Sequence, residues 1–269
     1  MTAILIRGPG RLWQWRGFIV STVLRELQVR YARSLLGGLW LILPPLAMIA
    51  VYAVVFTHLM RGAGLPDHGP YTYSVYLCAG MLSWQWFSEL LTRAQVLFTQ
   101  HAGLIRKTTV PWPVLLVCDA SVATAGLVIQ LAVFALMLAA VGLWPGWSLV
   151  LTLPVLLVQG LLALGIGLML SVFHVFFRDV GLALPLLLQL WFWLTPIVYP
   201  AGILPPAFQP WLAWNPLTPI VQAYQSAVLP SYSALNTSAI ASCGAAAVML
   251  LVLAIALVRR NLALIRDEL

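Results

Sequence analysis

Long apolar runs separated by short polar gaps dominate the chain. A helix that crosses the hydrocarbon core of a bilayer needs about 20 mostly apolar residues. Six runs meet that length, at approximately residues 35–59, 75–99, 114–143, 149–176, 180–199 and 239–258. Pro44 and Pro45 are expected to kink the first of these, because proline interrupts the helical hydrogen-bond ladder. The pattern predicts an all-α integral membrane protein with six transmembrane helices.

The second run carries polar side chains at helical spacing. Residues three and four positions apart share one face of a helix, and Glu89 and Arg93 are spaced to form an ion pair. Charged groups at membrane depth are costly, and they usually face a bundle interior or a watery route. The run therefore predicts one wall of a path for a polar cargo. The polar positions are Gln85, Ser88, Glu89, Thr92, Gln95 and Thr99.

Two further spans carry local signals. Small residues in the fourth span predict close contact with neighbouring helices; they are Gly160, Ala163, Gly165 and Gly167. Asp119, near the start of the third span, predicts that the first turns of this helix stand outside the hydrocarbon core.

The segments outside the spans define the rest of the organisation. Residues 11–34 alternate apolar and polar positions at helical period, and we interpret residues 1–34 as an amphipathic helix lying in the membrane surface; a helix packed on a partner is the alternative. Residues 35–258 form the membrane domain and residues 259–269 a tail. Residues 200–238 contain seven prolines and no charged residue. They predict short re-entrant helices between spans five and six, or a loop resting on the membrane.

Lysine and arginine mark the cytoplasmic side of membrane proteins. With six spans and both termini in the cytoplasm, twelve of the fourteen Lys and Arg residues fall on one side. The chain is 62% hydrophobic and 8% charged, so its net charge of +7 does not indicate nucleic-acid binding. The three cysteines and four histidines have no spacing typical of metal ligands, so we predict no metal site. We also predict no catalytic residues, because no Ser-His-Asp order or paired carboxylates occur.

The chain lacks the means to hydrolyse ATP. A phosphate-binding P-loop needs glycine immediately before its lysine, whereas Arg106 precedes Lys107, the single lysine of the chain. Energy must therefore come from a partner or an ion gradient. Gradient-driven carriers usually have buried carboxylates and inverted repeats, and the few acids here favour a partner.

In order and combination, several motifs resemble the transmembrane subunits of polysaccharide-exporting ABC transporters, the type-2 permease group that moves O-antigen, capsule or teichoic acid chains. The chain has Ser83 where this family more often has proline, and Gln222 and Gln225 where members often carry Glu and Arg. The motifs are RYARSLLGGLW at 30–40, GMLSWQWF at 80–87, LIRK at 104–107 with Pro111, FFRDV at 176–180, LTPIVYP at 194–200 and NPLTPI at 215–220.

The resemblance implies a homodimer working with two copies of a separate P-loop ATPase, which would bind ATP and Mg²⁺. The segment 100–113 would dock on that ATPase through Leu104, Ile105, Arg106, Lys107 and Pro111. The cargo would be a glycan on an undecaprenyl diphosphate lipid in the bacterial inner membrane. Arg30 and Arg33 could receive the diphosphate, or could serve only as orientation charges.

A glycan cargo gives the aromatic residues a possible role, because sugars stack on aromatic faces. Trp84, Trp86 and Phe87 lie beside the polar positions of span two, and Trp191 and Trp193 lie in span five. We assign all five to the translocation path together with Gln85, Ser88, Glu89, Thr92 and Arg93. An interfacial aromatic belt is the alternative. Two other functions stay open, a type-2 permease for a drug or small lipid and a membrane enzyme acting on polyprenyl-phosphate sugars.

Overall fold

The described part of the protein is helical throughout. The computed structural model describes residues 13–31, 39, 43–44, 46–51, 71–107, 110–144, 146–205, 207–229 and 235–269. Short 3₁₀ helices occupy Gly146–Leu151 and Ala201–Ile203. The α-helices are α1 (Arg16–Tyr31), α2 (Thr72–Gln95), α3 (Leu97–Gln100), α4 (Ala102–Lys107), α5 (Trp112–Val141), α6 (Thr152–Phe176), α7 (Asp179–Leu194), α8 (Gln209–Trp214), α9 (Leu217–Val228) and α10 (Thr237–Glu268).

Three described helices are long and apolar enough to cross a membrane, which confirms the prediction of an all-α membrane protein. They are α5, α6 and α10, while α7 is a shorter apolar helix. The second predicted span, residues 75–99, corresponds to α2 and α3, which meet at Val96. Most of the first predicted span, residues 35–59, lies outside the described residues, so the count of six stays a prediction.

Local sequence explains where the helices start and stop. α5 begins at the Pro111-Trp112-Pro113 segment, where proline suits the first turn because the N–H it lacks would have no helical partner. It ends at Gly142, whose positive φ of 76° permits the left-handed conformation that closes many helices. The side chain of Asn236 accepts a hydrogen bond from the backbone N–H of Ala239 and so caps α10.

Helix α6 is the centre of the bundle, and its glycines make the close contacts that the sequence predicts. A Cβ atom at Gly160 would lie 3.1 Å from the ring of Trp86 on α2. A Cβ atom at Gly165 would lie 3.0 Å from the backbone nitrogen of Leu251 on α10. A Cβ atom at Gly167 would lie 2.7 Å from the backbone oxygen of Leu91 on α2. Small residues thus bring α6 against two neighbours, which confirms the prediction.

Helix α1 packs against α5 with part of its apolar side. Ile19, Val23 and Leu27 are half-buried, whereas the apolar residues Val20 and Leu24 are 57% and 53% exposed. Glu26 is also half-buried, and its carboxylate reaches the bundle as described below. Placement in the membrane surface stays a prediction.

The proline-rich segment contains the two short helices that the sequence predicts, α8 and α9. Helix α9 is buried against α2 and α6, whereas Trp211 and Trp214 of α8 are 76% and 87% exposed. Their depth in the bilayer stays a prediction.

Residues 259–269, expected to be a separate tail, continue the last span as helix α10 through Glu268. Two apolar side chains in this extension, Leu262 and Ile265, are buried. The extension therefore belongs to the folded body of the protein.

Candidate functional site

A cavity of about 730 Å³ opens beside α2. Six of the ten side chains assigned to the translocation path line it, namely Trp84, Gln85, Ser88, Glu89, Thr92 and Arg93. Its remaining walls come from α1, from residues 48 and 49, from apolar side chains of α2 and from Gln100 of α3. The helical spacing thus gathers four of the six polar positions on one cavity, whereas Gln95 is 2% exposed within the bundle and Thr99 does not line the cavity. The part of the lining side chains in transport stays a prediction.

Three charged side chains form a network at this cavity. Arg93 donates from Nε to Glu89 Oε1 at 3.0 Å, which confirms the pairing predicted from their spacing. Arg93 also donates from Nη1 to Glu26 Oε1 at 2.8 Å. Two carboxylates around one guanidinium leave these three groups with a net charge of −1 when all are ionised. The network joins α1 to the wall of the cavity.

Sequence reasoning missed Glu26. This residue lies 67 positions before Arg93, so no local spacing relates the two. One signal was available: Glu26 is the only acid in the first 66 residues, among seven arginines. A lone carboxylate on a basic segment would find a partner within the fold more readily than it would attract anionic lipid.

The aromatic residues divide into two groups. Trp84 lines the cavity, whereas Trp86 and Phe87 are 7% and 0% exposed and pack within the bundle. The ring centroid of Phe87 lies 5.4 Å from that of Trp191 in an edge-to-face contact. Trp193 is 58% exposed. Because successive helical residues point about 100° apart, Trp86 lies on the side of α2 away from Trp84. Phe87 lies nearer to Trp84, and the ring centroids of these two residues are 5.9 Å apart.

A buried polar network lies deeper in the bundle. Gln159 Nε2 of α6 donates to the backbone oxygen and Oγ of Ser83 at 2.9 and 3.0 Å. The Tyr224 hydroxyl of α9 donates to Gln159 Oε1 at 2.9 Å. Gln159 is completely buried, and hydrogen bonds offset the cost of burying an amide. These bonds join α2, α6 and α9, and sequence reasoning did not identify them.

A second network holds the turn after α7, at residues 195–200. Asn215 Nδ2 donates to Thr195 Oγ1 at 2.9 Å, and Asn215 Oδ1 accepts from Trp191 Nε1 at 3.0 Å. From α2, the Tyr76 hydroxyl donates to the backbone oxygen of Tyr199 at 3.0 Å, and Tyr73 donates to that of Val198. The motifs at 194–200 and 215–220 are therefore joined to each other and to α2.

The segment 100–113, predicted as a basic loop, contains helix α4. Leu104, Arg106 and Lys107 are exposed on it, while Ile105 is 7% exposed and points into the bundle. Pro111 caps the start of α5. The exposed side chains can contact another molecule, whereas Ile105 and Pro111 fix the helix and its exit.

A buried His–Asp pair stands next to α4. His101 Nε2 lies 3.2 and 3.1 Å from the two carboxylate oxygens of Asp119, which is 2% exposed. The spacing of the histidines along the sequence did not indicate this pair. His101 is the side chain that pairs with the Asp119 carboxylate.

The structure gives less information about the remaining predicted site residues. The side chain of Arg30 and the whole of Arg33, assigned to the lipid diphosphate, lie outside the described residues, as do His58 and His68. Within the described ranges, no three His, Cys, Asp or Glu side chains gather as a metal site would require. The prediction of no metal stays untested.

Comparison with known proteins identifies the family. The ABC-2 type transporter family matches residues 19–229. The chain is 32% identical over 224 residues to the O-antigen export system permease protein RfbA of Myxococcus xanthus, covering 82% of this chain and 84% of that protein.

Two more relatives are similar over comparable lengths. A Klebsiella pneumoniae O-antigen export system permease protein RfbA is 29% identical over 202 residues, covering 75% of this chain and 76% of that protein. The polysialic acid transport protein KpsM of Escherichia coli is 29% identical over 223 residues, with 80% and 82% covered. The family match spans most of the chain, and the apolar helices are those of an integral membrane protein. The chain therefore belongs to the ABC-2 type transporter family.

Proposed function

We propose that this chain is the channel-forming subunit of an ATP-driven exporter that moves lipid-linked polysaccharide, with O-antigen the favoured class, across the bacterial inner membrane. The observation that carries the proposal is the cavity beside α2, where Glu89, Arg93, Gln85 and Thr92 place polar and charged groups in a lining that also contains apolar side chains. Relatives named for O-antigen export and polysialic acid transport support the class of cargo.

The chemistry of the cavity suits a hydroxyl-rich cargo. Carboxylate and amide oxygens accept hydrogen bonds from sugar hydroxyls, amide and guanidinium groups donate to them, and the Trp84 ring offers a stacking face. Ser88 Oγ is buried and has no hydrogen-bond partner among the described residues. In this proposal Arg30 and Arg33 receive the lipid diphosphate.

The energy would come from a separate P-loop ATPase that binds ATP and Mg²⁺. Helix α4 supplies the candidate docking surface, because Leu104, Arg106 and Lys107 are exposed there. The working unit would be a homodimer with two ATPase subunits and with both termini of each permease in the cytoplasm. α4 follows α2 closely along the chain, so ATPase movement would act near the wall of the cavity.

Cysteine labelling tests the cavity. A variant lacking Cys78, Cys118 and Cys243 would receive single cysteines at positions 85, 88 and 92, and a membrane-impermeant thiol reagent would be applied to opened vesicles. We expect labelling at these positions and none at position 157 of α6, whose native Leu157 is 70% exposed on the apolar exterior. Protection of 85, 88 and 92 in every nucleotide state would refute a watery path.

Export by the reconstituted protein tests the cargo and the energy source. We expect transport of lipid-linked glycan in liposomes only with a P-loop ATPase present. Transport without an ATPase would refute the energy source. Transport of a drug or a short lipid with no glycan export would favour the alternative permease, and chemical conversion of a polyprenyl-phosphate sugar would favour the enzyme.

A further inference from the structure

The last helix is longer than a membrane requires. Helix α10 contains 32 residues, which at about 1.5 Å per residue extend about 48 Å, against about 30 Å for the hydrocarbon core. The apolar run ends at the exposed pair Arg259 and Arg260, as expected at a membrane boundary. The turns that follow project beyond the boundary and remain helical to Glu268.

One stripe of this projection is buried. Val258, Leu262 and Ile265 are 0%, 9% and 0% exposed, at steps of four and three residues along the helix. The side chains on the opposite face, Arg260 and Asp267 among them, are exposed. A solvated tail would not bury such a stripe, so the projection is packed against the protein.

The stripe shares its apolar cluster with the candidate docking helix. The same buried cluster contains Ile105 of α4 and Leu97 and Phe98 of α3. Ile105 is the buried anchor of α4, while its neighbours Leu104 and Arg106 are exposed. The inner ends of α5 and α6 complete the cluster. The candidate docking helix α4 and the end of the chain's last helix therefore share one apolar cluster with α3, α5 and α6.

We propose that the projection of α10 braces α4, and that Leu262 and Ile265 are positioning residues for coupling between ATP hydrolysis and transport. This inference rests on the proposed function, in which α4 meets the ATPase. Neither side chain contacts the ATPase in this arrangement. Their packing fixes the angle at which Leu104, Arg106 and Lys107 are presented.

Substitutions at two adjacent positions test whether the end of α10 positions α4 or is only a loosely packed tail. Ile265→Ala removes a fully buried side chain, and Leu264→Ala removes a similar one that is 57% exposed. We expect Ile265→Ala to raise the ATP hydrolysed per glycan exported roughly two- to thirtyfold, the range for residues that tune coupling without touching a ligand. Leu264→Ala should behave as the native protein. Equal coupling in the two folded variants would overturn the proposal.

Further measurements keep a folding defect and a wrong cargo apart from a failed brace. Thermal unfolding identifies a variant that is merely unstable, and Ile265→Val provides a milder change if Ile265→Ala does not fold. Ile105→Ala combined with Ile265→Ala should give a less than additive coupling defect, because both act through α4; full additivity would overturn the proposal. The affinity of the native and variant permeases for the purified ATPase can be measured without glycan. If the native permease binds the ATPase but exports no glycan, the proposed cargo is refuted. The brace is then tested by whether Ile265→Ala weakens ATPase binding relative to Leu264→Ala, and equal affinities would overturn it.

Discussion

The tight contact between α6 and α2 at Gly167 gives a quantitative prediction. A Cβ atom added at Gly167 would lie 2.6 Å from the Cβ of Ala94 and 2.7 Å from the backbone oxygen of Leu91. Carbon atoms in good contact are about 3.5–4.0 Å apart, so α2 and α6 would have to separate by about 1 Å. The obstructing atoms belong to the backbone and to a side chain without rotatable bonds. No rotamer change can relieve the overlap.

The free energy of unfolding follows from two opposing contributions. Gly→Ala in a helix interior gains about 1 kcal/mol of intrinsic helix stability, while overpacking a well-filled contact costs about 1–3 kcal/mol. Gly126→Ala on α5 is the matched control, since its nearest new contact would be Glu89 Oε2 at an ordinary 3.8 Å. The helix contribution cancels between the variants, so Gly167→Ala should be less stable than Gly126→Ala by about 1–3 kcal/mol.

Thermal unfolding in lipid nanodiscs measures this difference. For a chain of this size about 1 kcal/mol corresponds to about 2–4 °C, and we expect Gly167→Ala to unfold several degrees below Gly126→Ala. Because Leu91 and Ala94 flank Arg93, the same substitution should also disturb the charge network at the cavity. A Gly167→Ala protein that unfolds at or above the temperature of Gly126→Ala would refute the α2–α6 packing described here.

Three further predictions concern the polar networks. Glu26→Gln and Arg93→Gln, alone and combined, should show a coupling free energy of about 1 kcal/mol, modest because the pair is partly exposed, and strict additivity would refute the ion pair. Gln159→Leu should lower the unfolding temperature, because it leaves a buried hydroxyl unpaired, whereas Gln189→Leu on an exposed face should not; equal unfolding temperatures would contradict the network. Asn215→Ala should increase protease cleavage in the turn after α7, since it removes hydrogen bonds that hold this turn, and unchanged cleavage would count against that role.

Local relationships were the predictable part of the site. Glu89 and Arg93 stand four residues apart, and helix geometry alone brings them together. The small residues of α6 likewise identify a packing face before its neighbours are known. Glu26 could not be found this way, because its partner depends on how α1 docks on the bundle. Local spacing therefore predicted the Glu89–Arg93 pair, whereas the Glu26–Arg93 pair required the tertiary structure.

The aromatic residues illustrate a second limit. Trp84 and Trp86 are both near the polar positions in sequence, but only Trp84 lines the cavity. Two residues correspond to about 200° of helical rotation, so proximity along the chain says little about facing. Counting rotation from Ser88 would have separated them. The function of each ring still depends on the oligomer in which the chain works.

The end of the last span was predictable from a signal that hydropathy hides. Arg259 and Arg260 end the apolar run, which led to a boundary at residue 258. Val258, Leu262 and Ile265 nevertheless continue one apolar face at helical period. Hydropathy averages over all faces of the helix, so it places the end of the span at the arginines. Burial follows a single face, and that face stays apolar beyond them.

Helix α2 relates the three parts of the described structure that bear on transport. Tyr73 and Tyr76 at one end hold the turn after α7, its middle lines the cavity, and its other end leads through α3 to α4. Its 24 residues extend about 36 Å as a continuous helix, so displacement along its axis moves the turn contacts and the cavity wall together. The helix assignment breaks at Val96, which separates α2 from α3, and α3 leads into α4. The brace on α4 and the ion pairs of Arg93 lie on opposite sides of this break. We therefore expect changes in the brace to alter coupling, and changes in the ion pairs to alter the cavity itself.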